Sequence, residues 1–288
     1  MYKVVTKRFL NDARTICLFE IEAPLVARHA QAGQFVIFRL DEQGERVPVS
    51  VAGYDREKGT VSVMVQAAGR TTKMLHTVEQ GDTILDFVGP LGKATEMEGL
   101  KKVCVVGGGV GCAIAYPIAK EMHAKGIDVT FIAGFRSADI VILKEELKAA
   151  SDKLIICTDD GSYGEKGFTT VFLKNEIEAN IKENKPQFDR VIAIGPDIMM
   201  KFLADVTRPY EISTVISLDP IMVDGTGMCG GCRVIVGGET KFACVDGPDF
   251  DAHQVYFDSL IKRAAFYQDE QNETAKHICR ITGGKRNA

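Results

Sequence analysis

The first 97 residues alternate short apolar runs with polar, glycine-containing breaks. Four runs are rich in β-branched and aromatic residues, and Gly, Asp or Lys clusters bound each of them: FVIFRL, VPVSVAGY, TVSVMVQ and TILDFVG. Strands at such short spacing are typical of an all-β sandwich or a small barrel. The pattern therefore predicts an N-terminal β domain over residues 1–97.

From Lys101 the pattern changes to alternating strands and helices. The runs KKVCVVGGG, DVTFIAGF, LIICTDDG and RVIAIGP have the length of buried strands, and CAIAYPIAKEMHAKG, ADIVILKEELKAAS and TTVFLKNEIEANIKE between them have helical spacing. This order predicts an α/β domain over residues 98–217, with a parallel sheet covered by helices on both faces. Residues 218–288 follow as a glycine- and cysteine-rich loop and a helix through QVYFDSLIKRAAFYQDE.

Composition narrows the possible partners. Of the 288 residues 45% are apolar, and the net charge of −4 comes without a long basic stretch, so we do not expect a nucleic-acid partner. The first twenty residues lack the apolar core of a signal peptide, and the apolar stretch around residues 103–119 is broken by glycines and too short to span a bilayer. We therefore expect a cytoplasmic protein without a membrane partner.

The eight cysteines divide into a scattered set and a group. Five are scattered along the chain: Cys17, Cys104, Cys112, Cys157 and Cys279. The middle three of these lie in apolar or glycine-rich runs, which are typical of buried thiols. The other three form the pattern Asp224-x4-Cys229-x2-Cys232-x11-Cys244. Without a secretion signal, metal or redox use is more typical of such a chain than a disulfide framework.

The spacing from Asp224 onward is that of an iron–sulfur site. Plant-type [2Fe–2S] ferredoxins use Cys-x4-Cys-x2-Cys with a distant fourth cysteine, and here Asp stands at the first position. Glycines allow the backbone to wrap closely around a cluster, and RVIVGGETKFAC predicts a hairpin that returns the last thiolate. Two alternatives stay open: the same four side chains could hold a structural Zn²⁺, or the thiols are free and Asp224 is a turn residue.

A glycine-rich turn joins the first strand of the α/β domain to its first helix. Gly107, Gly108, Gly109 and Gly111 occupy this turn, and backbone amides at a helix N-terminus favour a phosphate. The spacing is not G-x-G-x-x-G, and no Walker lysine follows, which argues against a nucleotide hydrolase. The alternative is a tight turn without a ligand. Residues 158–162 and 195–197 end later strands, so we expect these loops to meet the glycine turn in one crevice.

The motifs GGGVGCAIAYP, GFRS, TDDGSYGEKG and IGPDIMM, followed by a cysteine loop that ends in CVDGP, resemble those of the ferredoxin reductase-like flavoproteins in order and spacing. Over essentially the whole chain the resemblance is strongest to the small subunits of NADH-dependent ferredoxin:NADP⁺ oxidoreductases, which are electron-bifurcating transhydrogenases. These small subunits are also known as sulfide dehydrogenase β subunits. The electron-transfer subunits of dihydroorotate dehydrogenase are their nearest relatives. The resemblance implies an FAD-binding β-barrel, an NAD-binding α/β domain and a C-terminal [2Fe–2S] loop region.

The resemblance also implies which residues bind the flavin. The family reads Arg-Pro-x-Ser where this chain has Arg46-Val47-Pro48-Val49-Ser50, so Ser50 is expected near the reactive flavin nitrogen and Pro48 along the ring. Val47 occupies the usual arginine position, and Arg46 is the candidate for the pyrophosphate charge. A second flavin segment corresponds to Met64, Val65, Gln66, Gly69, Thr71 and Thr72. Taken by themselves, residues 69–72 indicate a helix start capped by Thr.

Three groups of residues are implied for NAD(H): Gly107, Gly108, Gly109, Val110 and Gly111; Arg136, Asp160 and Gly161; and Gly195, Pro196, Asp197 and Met199. Arg136 and Ser137 follow the second strand of the α/β domain, where a 2′-phosphate could bind, although the resemblance favours NAD(H). Many relatives carry Cys where this chain has Ile194. Asp224, Cys229, Cys232 and Cys244 are implied as cluster ligands, and Asp at the first position matches the transhydrogenase small subunits.

The implied function is electron transfer between a nicotinamide and a partner protein. NAD(H) and FAD exchange a hydride, and single electrons pass through the [2Fe–2S] cluster to a larger flavin/iron–sulfur subunit that works with ferredoxin and NADP(H). The alternatives are the electron-transfer subunit of an NAD-linked dihydroorotate dehydrogenase and a zinc-containing nucleotide-binding regulator. No catalytic side chain is expected, and the five histidines are not grouped. Asp246, Asp249 and Asp251 either contact a partner or form a solvated loop.

Overall fold

The computed structural model describes residues 1–265. Its N-terminal part is a seven-stranded antiparallel sheet with two short helices. The strands are β1 (Tyr2–Phe9), β2 (Ile16–Glu22), β3 (Phe35–Arg39), β4 (Val47–Asp55), β5 (Thr60–Gln66), β6 (Thr83–Ile84) and β7 (Asp86–Leu91), and the helices are α1 (Pro24–His29) and α2 (Arg70–Leu75).

This first sheet closes on itself. Its strand order is β6-β1-β2-β5-β4-β3-β7, and only Leu85 separates the two edge strands, which draws the edges together into a nearly closed barrel. Strands β2 and β5 alternate buried and less buried positions, as a sheet with one face on a core must. Phe19, Phe38 and Phe87 are the largest buried side chains of that core, and each burial stabilises the barrel by roughly 1.5–3 kcal/mol. The predicted β-barrel is confirmed.

The second sheet is also seven-stranded and lies in an α/β arrangement. Its strands are β8 (Lys102–Gly108), β9 (Asp128–Phe135), β10 (Lys153–Thr158), β11 (Glu165–Lys166), β12 (Arg190–Ile194), β13 (Thr214–Ser217) and β16 (Asp249–Asp251). The hairpin β14 (Arg233–Val236) and β15 (Glu239–Phe242) lies outside it. The helices are α3 (Gly111–Ala124), α4 (Lys144–Ala149), α5 (Thr169–Lys182), α6 (Asp197–Thr207), α7 (Ala243–Asp246) and α8 (Phe257–Ala264).

The order of this sheet is β11-β10-β9-β8-β12-β13-β16, with parallel neighbours except for the antiparallel edge pair of β13 and β16. The central strand β8 buries nearly every side chain because helices cover both faces. Helices α3 and α4 pack into one core with Ile118 and Leu147, and α5 and α6 pack into the other with Ile177 and Leu203. The predicted parallel sheet is confirmed, and its carboxyl edge beside α3 faces β4 of the barrel.

The helix predicted over residues 138–151 is wrong in its first half. Ala138–Ile140 form a single 3₁₀ turn, and α4 begins only at Lys144. Between them Val141, Ile142 and Leu143 are buried, and Leu143 has a φ of +56° that no α-helix tolerates. Tertiary burial of this apolar run overrides the helical spacing, and the β-branched Val141 and Ile142 favour an extended chain.

Other boundaries also differ from the prediction. The single strand predicted for TILDFVG is two strands, β6 and β7, because the chain crosses from one barrel edge to the other at Leu85. Strands β1, β2 and β13 and helix α6 are elements that the sequence pattern did not predict. The predicted C-terminal helix is present as α8, and its continuation from residue 266, with His277 and Cys279, lies outside the described residues. Within residues 1–265, no helix combines the length and apolar character needed to cross a membrane.

Candidate functional site

One large cavity lies between the barrel and the carboxyl edge of the α/β sheet. Its volume of about 1420 Å³ exceeds the 300–1,000 Å³ range of ordinary ligand pockets, so it can hold two ligands side by side. Predicted site residues that line it are Pro48, Val49, Ser50, Gln66, Gly108, Gly109, Val110, Gly111, Arg136, Gly195, Pro196, Asp197 and Met199. The expectation that the glycine turn and the later strand ends meet in one crevice is confirmed.

The glycine turn between β8 and α3 depends on missing side chains. Gly109 has a φ of +56°, which favours glycine, and a Cβ there would meet nothing within 4 Å. A Cβ on Gly111 would collide with the carbonyl of Ile194, and one on Gly108 would meet the sulfur of Met199 at 2.5 Å. The 14-residue helix α3 therefore begins in close contact with β12, with its N-terminus at the cavity. Amides at such a terminus favour a phosphate.

The barrel contributes the opposite wall. Pro48, Val49 and Ser50 lie on β4 and Gln66 ends β5, and all four residues line the cavity on the barrel side. Phe35 on β3 also lines this wall, and the sequence gave no signal for it. The neighbouring positions Met64 and Val65 lie on β5 outside the lining.

The segment predicted to meet the flavin phosphates begins helix α2. Thr72 accepts hydrogen bonds from the amides of Ala68 and Gly69 at 3.1 and 3.0 Å, and Thr71 donates to the carboxylate of Glu45. These residues and Gly69 lie outside the lining of the cavity. A helix start capped by Thr, the alternative interpretation, describes the local structure. A phosphate contact there stays a prediction.

The far end of the cavity carries opposite charges. Arg136, Ser137 and Asp159 line it, whereas Asp160 and Gly161 lie just beyond. Hydrogen bonds from the side chain and backbone of Ser162 lower the pKa of Asp160. Ser137 donates to Asp139 at 2.5 Å, so its hydroxyl is already engaged. This end of the cavity therefore combines one cationic and one anionic lining side chain.

Two carboxylates meet at the end of β12. Asp197 begins α6 and Asp219 follows β13, and both line the cavity. Burial raises the pKa of Asp197 to about 6, and the charge of Asp219 adds to this shift. Burial also raises the pKa of Asp219. The sequence singled out Asp197 but not Asp219, because nothing in the chain order places that residue beside α6.

Residues 219–232, here called the cysteine loop, carry Asp224, Cys229 and Cys232, and Cys244 on α7 is the fourth predicted cluster ligand. The four side chains form two pairs. Asp224 Oδ1 lies 3.3 Å from Cys229 Sγ, and Cys232 Sγ lies 3.2 Å from Cys244 Sγ. The hairpin of β14 and β15 returns the chain to the loop, where the amide of Ala243 donates to the carbonyl of Cys232 at 3.1 Å. The predicted hairpin is confirmed.

The first pair is more exposed than the second, since Asp224 is only partly buried. Cys229 is exposed, whereas Cys232 and Cys244 are each 1% exposed. The carboxylate of Asp224 accepts hydrogen bonds from Thr226, Met228 and Cys229. Desolvation raises the pKa of Asp224, but these hydrogen bonds outweigh it and lower the pKa to about 2. Asp224 is therefore ionised at neutral pH, as its predicted role of oxygen ligand requires.

The two pairs fit a [2Fe–2S] cluster better than a single metal ion. Each iron of such a cluster has two bridging sulfides, so it takes two protein ligands, and two pairs supply two irons. A structural zinc needs four ligands around one point. Among residues 1–265, no three Cys, His, Asp or Glu side chains converge in the way that a mononuclear site requires.

Within residues 1–265, the other cysteines and aspartates noted in the sequence lie outside the cavity, and several of them are buried. Cys104, Cys112 and Cys157 are buried as expected, and burial raises the pKa of each thiol. The expectation that Asp246, Asp249 and Asp251 form a solvated loop or bind a partner is wrong for Asp249. Its carboxylate turns inward and accepts a hydrogen bond from Thr95 at 2.6 Å, and its other oxygen is buried.

Comparison with known proteins agrees with this architecture. The family described as the iron–sulfur cluster binding domain of dihydroorotate dehydrogenase B matches residues 219–256, which include all four predicted ligands. A Clostridium beijerinckii protein, described as uncharacterized and located in the adh 3′ region, is 48% identical over 96% of this chain and 94% of its own. The Thermotoga maritima homolog of the dihydroorotate dehydrogenase B (NAD(+)) electron transfer subunit is 45% identical, with 92% of each chain covered.

A solved structure has the same fold over nearly the whole chain. A chain of the NADH-dependent reduced ferredoxin-NADP oxidoreductase, a structure described for its insights into flavin-based electron bifurcation, superimposes with a TM-score of 0.88. The identity is 40%, and the match covers 96% of this chain and 98% of the other. A β-barrel, a parallel α/β domain and a C-terminal iron–sulfur region define a ferredoxin reductase-like protein. The chain belongs to the family of the dihydroorotate dehydrogenase B electron transfer subunits and their homologues.

Proposed function

We propose that this protein is the FAD- and [2Fe–2S]-containing subunit of an NADH-dependent ferredoxin:NADP⁺ oxidoreductase. It exchanges a hydride with NAD(H) and passes single electrons to or from a larger flavin/iron–sulfur subunit. One observation carries the proposal: a single cavity is bounded by β4, by the glycine turn and by Pro248, which lies four residues beyond the paired ligand Cys244. The sites for nicotinamide, flavin and cluster thus adjoin one another.

Each wall of the cavity has a distinct role in this proposal. Pro48, Val49, Ser50 and Gln66 hold the flavin on the barrel side. The glycine turn, with Arg136, Gly195, Pro196 and Met199, holds NAD(H) on the other. When bound, the flavin supplies the conversion between two-electron hydride exchange and one-electron transfer to the cluster. The protein contributes alignment of the two ligands and exclusion of solvent from the contact between them.

Asp224, Cys229, Cys232 and Cys244 are proposed to hold the cluster in their observed pairs. The larger partner subunit gives access to ferredoxin and NADP(H). Support for this assembly comes from the match over 96% of the chain to a component of the NADH-dependent reduced ferredoxin-NADP oxidoreductase.

A second candidate is the electron transfer subunit of an NAD-linked dihydroorotate dehydrogenase. The match of residues 219–256 to the dihydroorotate dehydrogenase B iron–sulfur domain favours it, as do relatives of that name. Isolation of the chain with its natural partner separates the two candidates. Reduction of ferredoxin together with NADP(H) exchange supports the first, and oxidation of dihydroorotate by NAD⁺ supports the second.

The decisive first test is an anaerobic absorbance spectrum of the purified chain with iron and zinc analysis. We expect flavin bands, broad sulfide-to-iron absorption, about two irons per chain for one cluster, and bleaching by NADH. Zinc without flavin would exclude the proposed function, if reconstitution with FAD, iron and sulfide also failed.

A cytoplasmic location is part of the proposal. All seven cysteines in the described part of the chain are free thiols, and four of them besides the paired ligands are buried. Free thiols persist in reducing compartments. Fractionation of the source cells, followed with an antibody against the chain, tests the location.

A further inference from the structure

Arg46 connects the barrel to the cysteine loop. Its Nε donates a hydrogen bond to the carbonyl oxygen of Val223 at 2.7 Å, and its Nη2 donates to the carbonyl oxygen of Asp224 at 3.4 Å. Arg46 directly precedes β4, the strand that lines the cavity, and it lies outside the lining itself. One side chain therefore bridges the start of the proposed flavin strand and the backbone of a proposed iron ligand.

The two contacts of Arg46 act on a part of the loop whose side chains are largely open to solvent. Val223 and Met228 are exposed, with Met228 at 87%. The loop also approaches the barrel closely at Gly225, where a Cβ would meet Ile37 and Leu91 at 2.8 Å each. Gly225 has a φ of +80°, so the chain turns sharply directly after Asp224. An apolar contact at Gly225 and a polar contact at Arg46 thus fix the peptide that presents the carboxylate.

Fixing this peptide fixes the direction of the carboxylate. Asp224 accepts hydrogen bonds from amides within the following five residues, and its Oδ1 faces the sulfur of Cys229. These bonds shape the turn internally but do not attach it to the barrel. Of the hydrogen bonds described for Val223 and Asp224, those from Arg46 alone reach the barrel. Guanidinium suits this role because its planar fork engages two acceptors at once and always carries its charge.

We propose that Arg46 is a positioning residue for the iron ligand Asp224: it holds the peptide of Asp224 against the barrel and places a permanent positive charge beside that side of the cluster. The inference rests on the proposed function, since it assumes a [2Fe–2S] cluster on the four paired ligands. Reduction adds negative charge to a cluster, so a nearby guanidinium favours the reduced form. Arg46 then serves the cluster rather than the flavin pyrophosphate.

The test compares Arg46→Gln and Arg46→Lys with wild type and with Arg56→Gln. Arg56 is a matched control, because it also donates through Nε and Nη2 to two backbone carbonyls, those of Arg28 and Ala30, at 3.3 and 3.2 Å. Each full-length protein is reconstituted anaerobically with FAD, iron and sulfide. Flavin and iron contents, the electron paramagnetic resonance spectrum of the reduced cluster and its midpoint potential are measured. Hydrogen exchange of residues 219–232 is followed in the protein without cofactors.

Arg46→Gln is expected to lower the ratio of reduced to oxidised cluster about tenfold at a fixed potential, a shift of about 59 mV for one electron. Exchange in the cysteine loop should accelerate, and the FAD content should stay at the wild-type value. Arg46→Lys keeps the charge and loses the fork, so the potential should recover while exchange remains fast. Arg56→Gln should match wild type in all these measurements.

Several results would overturn the inference. If Arg46→Gln loses FAD while the potential and resonance spectrum stay unchanged, Arg46 belongs to the flavin site. If potential, spectrum and exchange all stay at wild-type values, Arg46 has no positioning role. A wild-type protein that takes up no iron and sulfide contradicts the proposed function instead, so the two failures are distinguishable.

Discussion

Asp224 is the residue with the most specific chemical role in the cysteine loop. Its carboxylate is paired with Cys229 and accepts hydrogen bonds that keep it ionised. Oxygen is a harder ligand than thiolate, so the proposed ligand set would give one iron of the cluster a different donor set from the other. This asymmetry makes Asp224 a position where ligand exchange can be detected spectroscopically.

We expect Asp224→Ala to lower the iron content of the reconstituted chain below the about two irons that one cluster contains. Asp224→Cys should retain the iron and shift the resonance spectrum of the reduced cluster, because a thiolate replaces the oxygen donor. Iron analysis and electron paramagnetic resonance measure both effects. Asp258→Ala, at an exposed position on α8, is the control. A full iron content with an unchanged spectrum in Asp224→Ala would show that Asp224 is not a ligand.

Asp197 allows a prediction of pH dependence. Its folded-state pKa of about 6 lies above the ordinary aspartate value, so the folded chain binds this proton more tightly than the unfolded chain. The stabilisation is complete below about pH 4 and is lost as the pH rises through 6. Asp197→Asn removes the ionisation. We expect this variant to match wild type near pH 4 and to be more stable by about 1–2 kcal/mol at pH 8, allowing for solvent screening.

Urea denaturation at a series of pH values measures this difference. Asp205→Asn, at an exposed position on the same helix, is the control for the loss of a carboxylate. Asp249 also has a raised pKa of about 6, but its contribution is common to wild type and variant and cancels in the comparison. A difference between wild type and Asp197→Asn that does not change with pH would contradict the assignment.

Residue-scale prediction from sequence was most informative where spacing along the chain is itself the signal. The pattern from Asp224 to Cys244 identified four side chains that the structure brings together in pairs. Phe35 and Asp219 were not predicted because distant segments bring them to the cavity. Arg46 was assigned to the flavin by its position before Pro48, whereas its side chain extends to a loop 177 residues away. The binding roles of all these residues stay predictions until the variants are measured.

At the scale of elements, the start of helix α3 determines the shape of the glycine turn. Gly111→Ala adds a methyl group that collides with the carbonyl of Ile194, so α3 and β12 must separate. We expect a loss of stability of about 1–3 kcal/mol, as for other overpacked sites, together with weaker NADH binding. Urea denaturation and titration with NADH measure the two effects.

Gly53→Ala is the control for this substitution. A Cβ on Gly53 in β4 would make only ordinary contact with Ser62, at 3.7 Å, so its stability should stay within about 0.5 kcal/mol of wild type. Equal stability of Gly111→Ala and wild type would show that the contact between α3 and β12 can relax without cost.

The sequence predicted strands with continuous apolar runs more reliably than short helices. Strand β9 has the same bounds as the run DVTFIAGF, because a central parallel strand buries almost every side chain. Helix α4 was predicted six residues too early, since the buried segment Val141–Leu143 has the composition of either a helix or an extended chain. The pattern does not predict helix α6, because its first residue, Asp197, belongs to the loop predicted at the end of the preceding strand.

At the scale of the whole molecule, a buried joint connects the barrel to the cluster region. Thr95, in the segment between the two sheets, donates to Asp249 on the edge strand β16 at 2.6 Å. The amide of Lys93 donates to the carbonyl of Gly247 at 2.7 Å, and Gly92 packs against Pro248. The polypeptide after Cys244 is thereby attached to both domains.

Thr95→Val removes the hydroxyl from this joint at similar volume. We expect a loss of about 1–3 kcal/mol in unfolding free energy, because the buried carboxylate of Asp249 loses its donor. Thr83→Val at an exposed position on β6 is the control, and it should remain close to wild type. Urea denaturation of both variants at pH 7 provides the comparison. An unchanged stability of Thr95→Val would mean that other donors reach Asp249.

The sequence predicted the two sheets separately but not how they face each other. That arrangement depends on contacts such as α3 against β4 and Gly225 against Ile37, which join residues far apart in the chain. A periodic pattern along the chain does not predict these contacts, because each residue that takes part has the local pattern of an ordinary strand, helix or loop.

The unequal exposure of the two ligand pairs has a consequence for how the subunit handles dioxygen. Cys232 and Cys244 are shielded by the core, while Cys229 beside Met228 is open to the surroundings. Dioxygen is small enough to reach that open side, so the isolated subunit should transfer electrons to dioxygen whenever NADH is present. If assembly with the larger subunit covers this side, NADH-dependent oxygen uptake should fall when that subunit is added, and the uptake rate before and after the addition measures the change.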